Sequence, residues 1–285
     1  MKIIVCVKQV ADIYVQRGYD PDIDSIVSEG LVYILNPHDE VATEEAIRQK
    51  EVAGGGEVTA ITIGPSRAEE VLRWCLAMGV DNAIHVLNDR SENLDPWVTA
   101  SLLADLIEDM EYDLLLFGKI AIDDEMGQVG TFVAELLDLP VVTGVTKIDI
   151  DEGKAAVQRA LDKGNREEVT CPIPGVFTID KKLSRPRYPT LPIRMVAETK
   201  PIQRIEMESL SSLTPSKMDR VRLGPPKLRP KRIVMPDSNL SPADRLKFVM
   251  TGGLGKKKGG SVGGDPKQSA SSIVDFLKEK NVIGS

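Results

Sequence analysis

Four short runs in the first 120 residues are apolar along nearly their whole length: "KIIVCVKQV" (2–10), "VTAITIG" (58–64), "AIHVL" (83–87) and "DLLLFG" (113–118). A strand with one wet face alternates apolar and polar residues, whereas a strand that is apolar throughout is buried on both faces. Burial on both faces requires helices on both sides of a sheet, and therefore parallel pairing through crossovers. The stretches between these runs carry the signals of such crossover helices. Asn36 stands where a helix cap belongs, with Pro37 at the first helical position and Asp39, Glu40, Glu44 and Glu45 near the positive end. Ser66 and Glu69 have capping-box spacing, Ala68, Val71, Leu72 and Cys75 follow at i, i+3, i+4 and i+7, and Gly79 closes the helix. Asp95 and Pro96 open a third helix, and Val129, Phe132, Val133 and Leu136 give a fourth the same spacing. The prediction is an α/β fold with a doubly wound parallel sheet.

The texture changes twice further along. After Leu139 the runs "VTKIDID", "AAVQRAL", "REEVTCP" and "GVFTID" are joined by short turn sequences, which predicts antiparallel hairpins at one edge of the sheet or beside it. From about Glu198 the rhythm of helix and strand fails. Residues 213–236 hold seven Lys or Arg and four Pro before Pro236, and "TGGLGKKKGGSVGG" follows. A segment rich in Pro, Gly and cations cannot bury a core of its own. Yet "SIVDFLKEKNVI" near the end places Ile273, Val274 and Leu277 on one helical face, and an amphipathic helix after a coreless stretch needs a surface to dock on. The expected organisation is an α/β nucleotide-binding domain over 1–197 and an extended C-terminal arm over 198–285 that embraces a partner.

Composition excludes several functions. A net charge of -7 removes the cationic surplus on which general phosphate-backbone binding depends, so no nucleic-acid role is expected. Cys6, Cys75 and Cys171 form no C-x-x-C pair, and His38 and His85 are far apart, so no metal site is expected. No run approaches the roughly 18 apolar residues a membrane helix needs, and the N-terminus reads as a strand rather than a targeting peptide, so the expected location is the cytoplasm and not the membrane.

The stretch "LLLFGKIAIDDEMGQVGTFVAEL" concentrates the chemistry. It follows a buried strand, and in a doubly wound sheet ligands bind beyond the carboxyl ends of the strands, where the strand order reverses. Gly118 lets the chain turn without a Cβ, and Gly127 and Gly130 let backbone N–H groups approach an anion at the following helix start. Asp123, Asp124 and Glu125 either order this loop, bond a ribose or are simply solvated. Neither G-x-x-x-x-G-K-[ST] nor G-x-G-x-x-G after the first strand is present, so neither an NTP-hydrolysing P-loop nor a dinucleotide fingerprint is supported. Cys6, Asn36 to Asp39 and Ile63 lie at other strand ends facing the same crevice.

In that order, "CVKQVAD", "ILNPHDEVATEEAIRQKE", "LAMGVDNAIHV", "LLLFGKIAIDDEMGQVGTFVAELLDLP" and "CPIPGVFTIDKKLSRPRYPTLPIRMVA" resemble the beta (small) subunits of electron transfer flavoproteins over about residues 1–205, and loosely along the arm. The resemblance implies a domain of the adenine-nucleotide hydrolase type paired with an alpha subunit that carries the redox-active FAD. It implies AMP held structurally by Cys6, Asn36, Pro37, His38, Asp39, Ile63, Gly118, Asp123, Gly127, Gln128, Val129, Gly130 and Thr131, with Gln128 and the Val129 and Gly130 amides as phosphate donors. Ile13 and His38 are the residues it places near FAD. It makes residues 179–201 a recognition loop for acyl-CoA dehydrogenases with Leu191 as anchor, and a membrane quinone oxidoreductase the electron acceptor. The chain departs from the pattern at "VAETK", where lysines are usual, at His38, where an aromatic is usual, and at Asp123–Met126, where bifurcating members show D-G-D-T. The last departure favours AMP over a second FAD.

Two further readings stay open at this stage. An electron-bifurcating subunit would bind its own FAD and oxidise NADH. An adenine-nucleotide sensing module would be a stable monomer with an ordered C-terminus.

Overall fold

The computed structural model describes residues 1–12, 19–20, 25–26, 30–88, 94–151, 153–210, 215–218, 236–237, 239–250 and 265–279. The chain divides into two compact units, Met1–Gly224 and Pro225–Ser285. The first holds a nine-stranded sheet. Its strands include β1 (Lys2–Cys6), β6 (Glu57–Gly64), β7 (Asn82–Leu87) and β8 (Leu114–Gly118), which occupy the four apolar runs. The remaining members are β9 (Val141–Asp151), β10 (Lys154–Ala160), β11 (Arg166–Pro172), β12 (Gly175–Ile179) and β13 (Gln203–Glu206), in the order β11-β10-β9-β12-β8-β1-β6-β7-β13. Two small pairs lie outside it: β2 (Gln9–Ala11) with β5 (Tyr33–Leu35), and β3 (Tyr19–Asp20) with β4 (Ser25–Ile26). The run expected as one first strand thus leaves the sheet after Cys6.

Helices cover both faces, as the apolar strands demand. The period-two alternation of β1 sends Ile3 and Val5 to a core shared with α1 (Pro37–Val52) and α2 (Glu69–Met78). Ile4 and Cys6 point the other way, toward α3 (Pro96–Glu108) and α4 (Val129–Leu136). A small helix, α5 (Leu191–Thr199), rests on the α1/α2 side through Ala197.

Four expectations are corrected. "GVFTID" is not a hairpin strand: β12 runs parallel between β8 and β9, because all five of its residues are buried and only an interior position hides both faces. The antiparallel meander is confined to β9, β10 and β11. Ser66 and Glu69 make no capping box. A 3-10 turn closed by Ala68 N–H donating to Pro65 O (2.8 Å) precedes α2, and Glu69 accepts from Arg73 (2.8 Å) instead. Asn36 does not cap α1, for a reason given below. The boundary at 197/198 would have placed Gln203–Glu206 in the arm, whereas β13 joins the sheet edge beside β7. At the start of α3, Asp95 accepts from Val98 N–H inside the helix and from Ser216, Lys217 and Met218 outside it.

In the second unit, α6 (Pro242–Met250) is capped by Ser241, whose Oγ meets Asp244 Oδ2 at 2.6 Å, and α7 (Pro266–Glu279) is the amphipathic terminal helix. Leu246, Val249 and Met250 on the first, and Ile273, Val274 and Phe276 on the second, are exposed. Among the described residues no helix is long and apolar enough to cross a membrane, and no group of His, Cys, Asp and Glu is arranged to hold a metal.

Candidate functional site at the strand-order reversal

The strand order reverses between β1 and β8: β6 and β7 build outward from one, β12 and β9 from the other. The carboxyl ends of these two strands therefore diverge, and the crevice of a doubly wound sheet opens there. Asp39, in the first turn of α1 and 5% exposed, spans it. Lys8 N–H donates to Asp39 Oδ2 at 2.8 Å, and the Gly118 amide also bonds this carboxylate. Burial pushes the Asp39 carboxyl up to about 7, against the opposing help of the Asn36 side chain and the two amides. Gly118 is explained by the same contact. A Cβ there would overlap Asp39 Oδ1 and come within 2.9 Å of the Asp39 nitrogen and His38 Cβ, so the glycine serves close packing as well as the turn.

Asn36 has been recruited from capping to loop anchoring. Its Nδ2 donates to Ile120 O (2.9 Å), and Ile122 N–H donates to its Oδ1 (3.2 Å). Both bonds pin the loop after β8. The acids of that loop are drawn back by Lys8, whose Nζ lies 2.9 Å from both Asp123 Oδ2 and Asp124 Oδ2. Asp124 N–H donates to Asp123 Oδ1 and Met126 N–H to Asp124 Oδ1. Of the three roles open to these acids, ordering the loop is the one the geometry displays. Gly127 follows with φ +61, where a Cβ would lie 2.9 Å from Lys119 O. The chain then enters α4 through Gln128, whose carbonyl accepts from Thr131 Oγ1 (2.7 Å) and Phe132 N–H (3.0 Å).

The first-turn amides of α4, from Val129 to Thr131, have no partner inside the helix, and the helix dipole favours an anion beside them. Gly130 has a packing task besides the one its spacing suggests. A Cβ on it would come within 3.0 Å of Thr178 Cγ2 and 3.2 Å of Phe117 Cγ, so its bare Cα lets α4 settle onto the sheet. Cys6 and Ile63 line the α3/α4 side of the same strand ends; burial raises the Cys6 thiol, which is a wall and not a nucleophile. Pro37 is the first residue of α1. His38 lies buried in that turn. Its Nδ1 lies 3.2 Å from the Lys181 backbone nitrogen and 3.4 Å from Ile179 O, and burial lowers its pKa. Ile13 lies outside the described residues.

Sequence reasoning missed two charged groups. Lys8 stands inside a quoted motif, but its pairing with acids 115 and 116 positions away has no local signal. Lys119 Nζ, 3.1 Å from Asp180 Oδ2, joins the ends of β8 and β12, whose adjacency was not foreseen. Leu191, by contrast, begins α5 and is 70% exposed, with Ile193, Met195 and Val196 exposed beside it, so it is not a core residue.

Fold and crevice together define a doubly wound α/β protein with a helix start, its first-turn amides lacking intrahelical partners, at its switch point. The chain belongs to the electron transfer flavoprotein family, whose domain model matches residues 24–210. It is 38% identical over 237 residues to the mitochondrial electron transfer flavoprotein subunit beta of Oryza sativa subsp. indica, covering 82% of this chain and 93% of that one. The Mus musculus subunit beta is 37% identical over 231 residues (80% and 90%). That of Bacillus subtilis (strain 168) is 40% identical over 186 residues (65% and 72%).

Proposed function

We propose that this chain is the beta half of a heterodimeric electron transfer flavoprotein. It holds AMP as a structural nucleotide and, with an alpha subunit carrying FAD, passes electrons from acyl-CoA dehydrogenases to a membrane quinone oxidoreductase. The observation that carries the nucleotide reading is the crevice itself. The first-turn amides of α4 have no partner inside the helix, and the pairing of Asp123 and Asp124 with Lys8 lessens their repulsion of a phosphate. Val129 and Gly130 donate from the backbone, Gln128 and Thr131 frame the phosphate, and Cys6 and Ile63 offer apolar surface to the base. Asn36 and Asp39 act one step away, holding the loop and the two strand ends in register.

FAD supplies the one- and two-electron redox chemistry when bound; AMP supplies none. The chain's own part is to orient and to shield. His38, with Nδ1 held beside Lys181 N–H and Ile179 O, and Ile13 are the residues that would lie near the flavin by the family pattern. The exposed apolar residues of α6 and α7 give the C-terminal arm a surface with which to clasp the alpha subunit. The exposed face of α5, led by Leu191, is the docking surface for the dehydrogenase.

Acid release and mass identification of the nucleotides in the purified heterodimer test the reading. One FAD and one AMP are expected. Two FAD per heterodimer would move the assignment to a bifurcating subunit, and no adenylate at all would end it. For docking, Leu191→Ala is expected to raise the apparent KM for a reduced acyl-CoA dehydrogenase about tenfold, the scale of one truncated anchor residue, with nucleotide content unchanged.

A further inference from the structure

A nine-residue helix is too short to persist by itself, and α5 buries only Ala197. Its helicity and direction must come from its ends. At the far end Arg73, from α2, reaches the last carbonyls, donating to Ala197 O at 3.0 Å and to Lys200 O. At the near end the segment that enters α5 is fastened to α1. Arg187 lies three residues before Thr190, which precedes the first turn. Its backbone N–H donates to Glu44 Oε2 (2.9 Å), its Nε and Nη2 reach Glu44 at 2.9 to 3.1 Å, and Nη1 and Nη2 reach Glu51 at 2.7 and 3.0 Å. Glu44 and Glu51 are seven residues apart, two turns of one helix face, so a single guanidinium spans both. Arg187 in turn holds the Glu51 carboxyl below its usual range.

We propose that Arg187 is the positioning residue of the docking surface: by locking the entry to α5 onto Glu44 and Glu51 of α1, it fixes the direction in which Leu191 is presented. This rests on reading α5 as the dehydrogenase docking surface. The neighbouring contacts point the same way. Tyr188 packs edge-on against Trp74 (5.6 Å, 75°), Trp74 Nε1 donates to Glu40 of α1 at 3.1 Å, and Arg194 lies over the Trp74 ring at 5.3 Å. Arg73, Arg187 and Arg194 are thus engaged within the chain, and the exposed face of α5 is left as an apolar anchor. A pre-ordered anchor lowers the ordering cost of association, so loosening it weakens encounter without touching the flavin.

The experiment compares Arg187→Met, Arg187→Lys and Leu191→Ala in the intact heterodimer, using a medium-chain acyl-CoA dehydrogenase reduced by octanoyl-CoA as electron donor. Arg187→Met is expected to raise KM for the dehydrogenase roughly five- to twentyfold while kcat stays within about twofold. Arg187→Lys, which cannot fork to two carboxylates, recovers only part of the loss. Trp74 fluorescence should shift in Arg187→Met and not in Leu191→Ala. A lowered melting temperature with unchanged KM would overturn the proposal, since it would make Arg187 a structural residue only. If Leu191→Ala itself has no effect on KM, the docking reading fails; if Leu191→Ala raises KM and Arg187→Met does not, the clamp alone fails. Should Arg187→Met not fold, Glu51→Gln removes only the outer arm of the fork, and a KM rise of roughly two- to threefold is expected. No rise in either Glu51→Gln or Arg187→Lys also overturns it.

Discussion

Replacing Gly118 by Ala probes the junction on which the crevice depends. The backbone of Gly118 does not lie in the left-handed region, so alanine meets no conformational penalty there and any loss is steric. The added Cβ would overlap Asp39 Oδ1 and approach the Asp39 backbone nitrogen to 2.9 Å. A side chain can rotate aside, but a backbone nitrogen in the first turn of α1 cannot, so the helix start must shift. Overpacking of this kind costs about 1–3 kcal/mol. Displacing the Asp39 carboxylate from the Lys8 and Gly118 amides adds about 1–3 kcal/mol for a buried bond lost. For a unit of this size each kcal/mol lowers the melting temperature by about 2–4 °C, so the combined cost lowers it by roughly 4–24 °C. Gly153→Ala is the matched control. Gly153 has φ +77 and nothing within 4 Å of the added Cβ, so its cost is backbone strain alone, about 1 kcal/mol. Thermal unfolding of both variants, co-expressed with the alpha partner, gives the comparison, and the nucleotide retained by Gly118→Ala should fall with its stability. Equal melting temperatures for the two variants, or full nucleotide retention in a destabilised Gly118→Ala, would refute the reasoning.

Two further outcomes follow from the same crevice. Asp39 titrates near 7 in the folded chain against 3.8 as the ordinary value, so between these pH values the folded state binds a proton that the unfolded state does not. Stability therefore rises as pH falls through 7, and the contribution is lost above it; against Asp39→Asn, which lacks the group, wild type should gain about 2 kcal/mol between pH 8 and pH 5 in denaturant titrations, and parallel pH curves would contradict this. Lys8→Met releases Asp123 and Asp124 toward the α4 amides, so AMP affinity measured by calorimetry should drop roughly tenfold and recover in high salt as the freed carboxylates are screened; an unchanged affinity would show that Lys8 does not matter to the anion.

Local pattern reached far into this protein. The both-faces-apolar strands at β1, β6, β7 and β8 made a doubly wound sheet legible, because burial on two faces leaves a composition that no surface strand has. Asp95 was legible as a helix start because the bond that makes it one, from Val98 N–H, is only three residues away. The loop of acids and glycines after β8 was legible as a segment between a strand end and a helix start. β12 was not read correctly, since its interior position is set by β8 and β9, which pair with it from distant parts of the chain.

The sequence by itself settled what local periodicity and residue chemistry control: which stretches are buried strands, which are helices, and that cations and prolines gather after the domain. Only the tertiary structure decided what Asn36, Gly130 and Arg187 do, because their partners lie across the chain. Asn36 holds the loop at Ile120 rather than its own helix, Gly130 makes room for Phe117 and Thr178, and Arg187 finds Glu44 from 143 residues away. A hydrogen bond needs its partner within about 3 Å, and that distance is set by how the elements pack rather than by neighbours in the sequence.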